Sequence, residues 1–221
     1  CKSKDGKLYG VPVDSNPKVF WFNKGLLEQA GVTTDPAAQF AAGTWNRAAL
    51  DDLLTKVKAT GKRGMVVEAN WFDLFSLVTT FGGKVLSDDG TKVIFDTDPK
   101  AMDTFAWLFD HFAAGTITYG GSLPKGQGVD ALFLGSQLAT IQYGRWILPN
   151  LRKLKNMQYD IAPMPSILQS ISWSPSTRRM FLTLVPTLTT SEVPLTLRSL
   201  ITVTVSPSCS RLPLLSRTTR A

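Results

Sequence analysis

The stretch QGVDALFLGSQLATIQYGRW, residues 127–146, decides how this chain folds. Apolar residues at helical spacing precede Gly135, and an uncharged apolar run follows from Leu138 to Ile141. The pattern predicts a helix, a turn and a buried strand. Ligands of open α/β sheets bind just outside the carboxyl ends of the strands. The residues that follow this strand are therefore candidates for a binding site.

Four residues complete the stretch, Tyr143, Gly144, Arg145 and Trp146. A glycine at a strand end allows a ligand to approach the backbone closely, because it has no Cβ. Trp146 would present a flat apolar face beside that approach.

Helical and strand-like patterns alternate along the rest of the chain. The predicted helices cover 26–30, 44–60, 74–81, 98–114 and 147–154. The predicted strands cover 7–13, 19–22, 64–67, 138–141 and 157–164, and residues 33–43 are predicted to be a loop. Such alternation predicts an α/β fold whose mixed or mostly parallel sheet is flanked by helices on both faces.

Cap and turn residues support several of these boundaries. Thr44 is predicted to cap one helix, and Asp98 to cap another that has Pro99 at its first position. The sequence Asp88-Asp89-Gly90 predicts a turn between two short extended segments. The helix after Asp98 is predicted to bury a stripe of four large apolar residues: Met102, Phe105, Phe109 and Phe112.

The formal net charge of +7 is concentrated at one end of the chain. Residues 1–166 carry 18 Lys and Arg against 16 Asp and Glu, whereas residues 167–221 carry six Arg against Glu192 alone. Those arginines are scattered and lack an aromatic platform, which disfavours nucleic-acid binding.

Cys1 and Cys209 are isolated and have no pairing or metal spacing around them. No stretch approaches about 18 consecutive apolar residues, so no transmembrane run is predicted.

Six motifs occur in the order found in one protein family. They are DGKLYGVP at 5–12, FWFNK at 20–24, TW at 44–45, the GG and DDG pair at 82–90, the opening stretch at 127–146, and YDIAPMP at 159–165. Together they resemble the extracellular solute-binding proteins of ABC importers, in particular the sugar-binding group related to maltose-binding protein. Each motif alone is weakly specific, and the shared order carries the resemblance.

The resemblance implies a type II periplasmic-binding-protein fold of two lobes. Residues 1–19 would be the end of lobe one and a hinge strand, residues 20–166 nearly all of lobe two, and residues 167–221 a separate tail. The family's chains are nearly twice as long, so the chain is expected to be a fragment that lacks its front end and signal sequence. A Cys1 lipoprotein start is disfavoured, because the motif at 5–12 belongs deep inside the family's chains.

The resemblance also implies a function: binding of a carbohydrate between two lobes, for transfer to the membrane permease subunits of an ABC importer. The protein would be periplasmic or extracellular, attached to the cell envelope in lipoprotein members, and a monomer. No enzyme activity, cofactor, metal or nucleic-acid partner is implied. Without lobe one, this chain is expected to bind sugar weakly or not at all, and to be poorly soluble.

The candidate ligand contacts follow two predicted strands. Trp146 and Trp71 correspond to places where the family puts aromatic residues that stack on sugars, and Gly144 matches the family glycine beside the ligand. Glu68 and Asn70 are candidates for hydrogen bonds with sugar hydroxyls, or for strand-end solvation and helix capping.

Other polar and aromatic residues are weaker candidates. Tyr143 is a ligand contact or a packing residue, and Arg145 departs from the family pattern, which makes a ligand role doubtful. Trp21 and Asp14 lie near the hinge and are more often structural in the family. The two remaining tryptophans before the tail, Trp45 and Trp107, fit buried helix faces.

Two rival functions remain open, a receptor for another solute and an enzyme. A polyamine receptor would need two or more acids beside the tryptophans, and the sequence places only Glu68 there. A carbohydrate-active enzyme would need two carboxylates about 5–9 Å apart across a cleft.

His111, the single histidine, has no partner at ligand spacing and is interpreted as a surface or helix-end residue. The aspartates at 88–89 and 96–98 lack the pattern of a calcium loop and are interpreted as turn and cap residues.

The tail after Ser166 has a different composition. Its 55 residues contain 20 Ser or Thr and ten Leu, and all 17 glycines of the chain lie before it. A reading-frame change near Ser166 in a GC-rich gene would produce this bias, and the alternative is a natural low-complexity extension. In either case the tail is predicted to be disordered, with an aggregation-prone segment at Leu200–Val205.

Overall fold

The structure is a computed structural model, and it describes residues 5–11 and 17–165. Its strands are β1 (Lys18–Asn23), β2 (Arg63–Val67), β3 (Ile117–Tyr119), β4 (Leu138–Gly144) and β5 (Tyr159–Ala162). Its α-helices are α1 (Lys24–Gln29), α2 (Pro36–Ala41), α3 (Arg47–Ala59), α4 (Trp71–Thr80), α5 (Pro99–Ala114), α6 (Val129–Leu134) and α7 (Leu148–Leu151). Short 3-10 turns cover Gly120–Ser122 and Arg145–Ile147.

The five strands form one mixed sheet in the order β3-β2-β4-β1-β5. β2 is parallel to both β3 and β4, whereas β1 is antiparallel to both β4 and β5. The carboxyl ends of the other four strands therefore meet the amino end of β1 at one edge. We call this the carboxyl edge; it is marked by Tyr119, Val67, Gly144, Lys18 and Ala162.

Each face of the sheet is covered by its own hydrophobic core. Successive side chains of a strand point to opposite faces, so Phe20 and Phe22 enter one core and Trp21 enters the other. The larger core packs against α1–α5, and Leu50, Leu53, Leu54 and Val57 form the predicted buried face of α3. The smaller core packs against α6 and α7.

The opening stretch folds as predicted, and several boundaries are confirmed. It forms α6, a turn, β4 and then Trp146 in a 3-10 turn. Asp98 caps α5, whose first residue is Pro99, and Gly115 ends this helix in the left-handed conformation at φ 66°. Leu86 and Val93 pair across the predicted turn at 88–90.

Two helix predictions between residues 33 and 47 are wrong. The predicted loop contains α2, because Asp35 accepts a hydrogen bond from the Ala38 amide and Pro36 starts the helix. The cap of α3 is Asn46, not Thr44, since the Asn46 side chain accepts from the Ala49 amide at 3.0 Å. The α3 correction has a local cause: Asn46 directly precedes the helix, whereas the Thr44 hydroxyl donates to the Gln39 carbonyl at 3.2 Å.

The stripe predicted to be buried on α5 is also wrong. Met102 and Phe109 are 49% and 62% exposed, and Phe105 and Phe112 are only partly buried. The residues that face the core are Ala101, Thr104, Trp107 and Leu108. Gly83 explains the rotation of the helix: a Cβ on Gly83 would lie 2.7 Å from the Ala101 nitrogen, so the two backbones are in close contact. That contact turns the small Ala101 side inward.

The remaining differences concern short elements. The strand β3 follows α5 without a strong sequence pattern, and the helix predicted for 147–154 shortens to α7 after a 3-10 turn. No named strand forms within 5–11, the described part of the region where a strand was predicted over 7–13. Asp14 and the tail at 167–221 lie outside the described residues.

Candidate functional site

Two polar and aromatic segments meet at the carboxyl edge. Residues 68–71 follow β2, and residues 144–146 form the end of β4 and the turn after it; β4 lies next to β2 in the sheet. The first residue of β1, Lys18, pairs with Gly144 across the ladder. The topology therefore brings residues from three distant parts of the sequence to one place, as expected for a ligand site in a sheet of this kind.

Asn70 is the cap of α4 and organises its first turn. Its side-chain oxygen accepts a hydrogen bond from the Asp73 amide at 2.9 Å, as an asparagine before a helix commonly does. Its amide nitrogen donates to Glu68 Oε2 at 3.1 Å and to Asp73 Oδ2 at 2.9 Å. Asn70 therefore has the helix-capping role that was expected as an alternative to ligand binding. The same side chain holds the Glu68 and Asp73 carboxylates side by side.

Lys18 completes this group with a buried ion pair. Its ammonium contacts Asp73 Oδ1, and the two side chains are only 13% and 7% exposed. The Lys18 nitrogen also lies 4.8 Å from the centre of the Phe72 ring. We call Lys18, Glu68, Asn70 and Asp73 the Lys18 network.

Burial raises the pKa of the Glu68 carboxyl above its usual value. The negative charge of Asp73 and a hydrogen bond with that side chain raise this pKa further, whereas Lys18 and the Asn70 amide act in the opposite direction. Two carboxylates that share one lysine leave the network with an excess negative charge when both are ionised. Ionised Glu68 therefore costs folding free energy near neutral pH.

Replacing Glu68 with glutamine is expected to raise the midpoint of thermal unfolding at pH 7. A group whose pKa is raised on folding stabilises the protein below its unfolded pKa and loses that contribution as the pH rises through the folded pKa. The gain from Glu68→Gln should therefore shrink as the pH falls below the ordinary value of 4.5. Thermal melts at several pH values measure it.

Glu28→Gln, which removes an exposed carboxylate from α1, is the matched control and should change the midpoint little at any of these pH values. An equal gain for Glu68→Gln at pH 7 and pH 4 would contradict the electrostatic explanation.

Trp146 lies directly against Gly144. A Cβ added to Gly144 would be 1.9 Å from Trp146 Cζ3, so the indole ring occupies the space that any side chain would need. The Tyr143 ring contacts the same indole edge-on, with the ring centres 5.1 Å apart. Trp146 is 46% exposed. Its ring is thus held from two sides and still presents a large surface.

Trp71 is the first residue of α4. Its side chain is 70% exposed, more than that of any other tryptophan among the described residues. Its ring packs edge-on against Phe72, which is 48% exposed, with the ring centres 5.8 Å apart. An exposed tryptophan beside an exposed phenylalanine is unusual for a solvated helix start. Together they form an apolar surface next to the Lys18 network.

A small cavity of about 10 Å³, with room for roughly one water molecule, lies where β2 and β4 end. It brings Tyr143 and Gln142 of β4 together with Glu68 and Asp73, and its lining consists of Met65, Val66, Val67, Glu68, Asp73, Val129, Ile141, Gln142 and Tyr143. Carboxylate and amide oxygens can accept hydrogen bonds from hydroxyls, and flat rings can cover C–H faces. The cavity itself is too small for a sugar, but its polar groups and the exposed rings of Trp71 and Trp146 lie at the same edge, and that surface is suited to binding a polar molecule that has apolar faces.

The weaker candidates have structural positions. Trp21 is 4% exposed and its indole nitrogen donates to the Tyr143 carbonyl at 2.8 Å. Trp45 and Trp107 are buried, as predicted, at 3% and 6% exposure, but only Trp107 is on a helix, because Trp45 lies before the start of α3. Arg145 is exposed in the turn before Trp146.

Sequence reasoning missed Lys18, Asp73 and Phe72. Asp73 lies four residues before the buried Leu77 on the inner face of α4, so a charged residue on a core-facing position was the available signal. Lys18 opens an apolar strand and gave no comparable signal, because charged residues at strand starts are common.

His111 is a helix-end residue, as interpreted, but it is not a surface residue. Its side chain is 13% exposed, with Nδ1 2.6 Å from Thr116 Oγ1 and Nε2 3.1 Å from Asp51 Oδ1. Asp51 also accepts from the Trp107 indole at 2.8 Å. Thr116 is 7% exposed and precedes β3, at the edge of the sheet opposite the carboxyl edge. These contacts tie α3 to the end of α5.

The aspartates considered as calcium ligands have turn and cap partners. Asp89 accepts hydrogen bonds from Ser87 and from Thr91, which lower the pKa of its carboxyl to about 2. Asp98 accepts from the Ala101 amide at 2.8 Å. Within residues 5–11 and 17–165, no group of three or more His, Cys, Asp or Glu residues is arranged to hold a metal ion. In the same ranges, none of the helices combines the length and apolar character needed to cross a membrane.

Comparison with known proteins agrees with this fold. MdxE, the maltodextrin-binding protein of Bacillus subtilis, is 26% identical over 192 residues, which cover 77% of this chain and 40% of MdxE. The putative binding protein BAB2_0491 of Brucella abortus is 22% identical over 170 residues, which cover 73% of this chain and 39% of that protein. This chain therefore spans about two fifths of the length of these relatives.

Solved structures show the same fold. Lmo0181 of Listeria monocytogenes, an ABC substrate-binding protein in complex with cycloalternan, gives a TM-score of 0.61 at 20% identity, over 75% of this chain and 41% of that one. The sugar-binding protein MalE of Xanthomonas citri gives 0.59 at 18% identity, with the same coverage.

A family model described as bacterial extracellular solute-binding protein matches residues 2–189. The match continues past Ser166, and the boundary placed there stays a prediction. Because the model covers most of the chain, this chain belongs to the bacterial extracellular solute-binding protein family.

Proposed function

We propose that the intact protein is the substrate-binding component of an ABC importer and that it binds a carbohydrate between two lobes. The observation that carries the proposal is the carboxyl edge, where Trp71 and Trp146 are 70% and 46% exposed beside a group of hydrogen-bonding side chains. Most exposed surfaces of a soluble domain do not combine large apolar rings with buried polar groups in this way.

The chemistry of the edge suits a sugar. A pyranose has C–H faces that pack on an indole ring and a rim of hydroxyls that need acceptors and donors. Glu68, Asn70 and Tyr143 supply both kinds of group within the same region. Gly144 contributes indirectly, because its missing side chain leaves room for the Trp146 ring.

Two of the similar proteins support this choice of ligand. The Listeria protein is in complex with cycloalternan, and the Bacillus relative is named for maltodextrin. Binding by the intact protein would close two lobes around the ligand and present it to membrane permease subunits. The protein would then act as a monomer in the periplasm or outside the cell, with or without a lipid anchor.

We further propose the domain division predicted from the sequence. Residues 20–166 would form most of lobe two, residues 1–19 the end of lobe one with a hinge strand, and residues 167–221 a frame-shifted tail. Sequencing the gene and translating all three frames tests the division. Family-like sequence in another frame after Ser166 is the expected result, and its absence from both other frames would refute the frame change.

The binding proposal is tested by calorimetry on the intact protein with maltodextrins and other oligosaccharides. A dissociation constant near 1 μM, about −8 kcal/mol, is the expected order for a functional receptor. Trp71→Ala and Trp146→Ala should each weaken binding, whereas Trp107→Phe, in the core, should not. The 221-residue chain by itself should bind weakly or not at all, since half of the contacts would come from the other lobe. Absence of binding to every sugar by the intact protein would refute the proposal.

An enzyme is the rival from another functional class. A glycoside hydrolase of the retaining or inverting type places its two carboxyl groups on opposite sides of the scissile bond. Glu68 and Asp73 instead accept hydrogen bonds from the same Asn70 nitrogen, on one side of the edge. A receptor should release its sugar unchanged, so product analysis after incubation of the wild type and Glu68→Gln with oligosaccharide separates the two functions.

A further inference from the structure

The Lys18 ammonium occupies surroundings that recognise cations. A carboxylate oxygen of Asp73 contacts it directly, and the Phe72 ring centre lies 4.8 Å from the same nitrogen. A carboxylate and an aromatic face on one cation are the two groups with which proteins commonly bind alkylammonium ligands. The Lys18 side chain is 13% exposed, so its ammonium fills this place instead of extending into solvent.

The charges around the ammonium favour a cation there. The network contains two carboxylates, Glu68 and Asp73, and one lysine. The Asn70 amide donates to both carboxylates, which keeps them side by side at the start of α4. The raised pKa of Glu68, due first to burial and then to Asp73, agrees with an excess of negative charge in this group. Removing the lysine would leave two neighbouring acids and an aromatic ring without a cation.

The backbone positions of these residues explain how the lysine reaches this place. Lys18 is the first residue of β1, and β1 runs antiparallel to β4, opposite Gly144. The amino end of β1 thus lies among the carboxyl ends of the other strands, where α4 also begins. From the first position of β1, the Lys18 side chain therefore reaches Asp73 in the first turn of α4.

We propose that Lys18 is a specificity-determining residue whose ammonium occupies a cation site formed by Asp73 and Phe72, and thereby excludes amine ligands from the carboxyl edge. The acids and exposed rings would otherwise suit a polyamine, which is the rival ligand class for this surface. Because the Lys18 ammonium fills the cation site, the other polar groups and exposed rings of the carboxyl edge are available to a neutral, hydroxyl-rich ligand. The inference deepens the proposed function by naming the ligands that the same edge rejects.

The test is a rescue of Lys18→Ala by an added amine. The full chain carrying Lys18→Ala is melted with increasing n-propylammonium chloride, whose three carbons and ammonium match the Cγ, Cδ, Cε and Nζ atoms that the substitution removes. At about ten times its dissociation constant, a ligand specific to the folded state should raise the unfolding midpoint by about 3–6 °C. The wild type should show no such rise, because its site is already occupied.

Two controls separate the site from general salt and solvent effects. Sodium chloride at equal ionic strength and n-propanol, the neutral analogue, should not stabilise Lys18→Ala. The double variant Lys18→Ala, Asp73→Asn keeps the space left by the lysine side chain but lacks the Asp73 carboxylate, so propylammonium should not stabilise it. A folded Lys18→Ala chain that responds no more than the wild type or the double variant would overturn the proposal.

A second measurement uses the wild type and does not depend on whether Lys18→Ala folds. Reductive methylation modifies amines that are free in solution, and mass spectrometry reports the extent at each lysine. Lys84, whose side chain is 52% exposed in an ion pair with Asp88, is the internal reference. We expect Lys18 to react at least tenfold more slowly than Lys84. Equal rates would overturn the proposal, because they would place the Lys18 ammonium in solvent.

The outcomes also distinguish this inference from the proposed function. Amine rescue together with no carbohydrate binding by the intact protein would refute the carbohydrate proposal and leave the cation site standing. Carbohydrate binding by the intact protein without amine rescue would support the carbohydrate proposal and refute the cation site. Polyamine binding by the wild-type intact protein would refute both, since it requires the site to be open.

Discussion

Replacing Asp73 with alanine is expected to lower the free energy of unfolding by about 3–5 kcal/mol at pH 7. The substitution leaves the Lys18 ammonium, 13% exposed, without the carboxylate that it contacts. It also removes one acceptor of the Asn70 amide at 2.9 Å and an acidic residue from the first turn of α4. Urea or thermal unfolding of the variant and the wild type measures the loss.

The matched control is Asp52→Ala on α3. It also removes an aspartate from an ion pair with a lysine, but Lys56 and Asp52 are 44% and 62% exposed. An exposed pair of this kind contributes only about 0.3–0.5 kcal/mol. The double variant Lys18→Met, Asp73→Leu should recover most of the loss, because it removes both charges and keeps the volume. A loss below about 1 kcal/mol for Asp73→Ala would show that Lys18 finds solvent or another partner.

Replacing Gly144 with alanine is expected to weaken carbohydrate binding by the intact protein about thirtyfold, or about 2 kcal/mol, as for the loss of a central binding residue. The new Cβ would overlap three atoms of the Trp146 ring at 1.9–2.4 Å, so the indole must leave its position. The backbone itself tolerates alanine, since φ is −86° at Gly144. Calorimetric titration of the variant with the best ligand measures the loss.

A double-variant cycle identifies the ring as the cause. If Gly144→Ala acts only by displacing the indole, the combination with Trp146→Ala should bind no more weakly than Trp146→Ala alone. Gly25→Ala is the control for a glycine replacement, because a Cβ there meets only an ordinary contact of 3.5 Å. Additive losses for Gly144→Ala and Trp146→Ala would contradict the explanation.

Most of the fold is predictable from local patterns. The α3 face, the Asp98–Pro99 start of α5 and the helix–turn–strand order around Gly135 depend on residues within a few positions of one another. The α5 stripe was wrong because the orientation of a helix depends on its neighbours as well as on its own apolar residues. Here the close approach at Gly83 sets the orientation, and two helix faces rich in apolar residues competed for the core.

The candidate site is predictable in its outline but not in its electrostatics. Strand ends can be read from the sequence, and that placed Glu68, Asn70, Trp71 and Trp146 at one edge. Lys18 and Asp73 are 55 positions apart, and their contact exists only because β1 runs against the other strands. An ion pair that depends on strand direction has no signature in a local pattern. The ligand roles of the named residues stay predictions.

The direction of β1 has a further consequence, for how this part of the chain is held at its two ends. β1 leads the chain in at the carboxyl edge, and β5, paired with it through Phe20 and Ala162, leads the chain out at the same edge. Neighbouring strands are about 4.8 Å apart, so residues 17–165 enter and leave at adjacent points, as in domains that tolerate insertion into a host chain. Under a pulling force on these two points, the β1–β5 hydrogen bonds would be loaded one after another instead of together. Residues 17–165 therefore have both chain ends at the edge that carries the candidate site, and a pull on those ends would separate β1 from β5 starting at that edge.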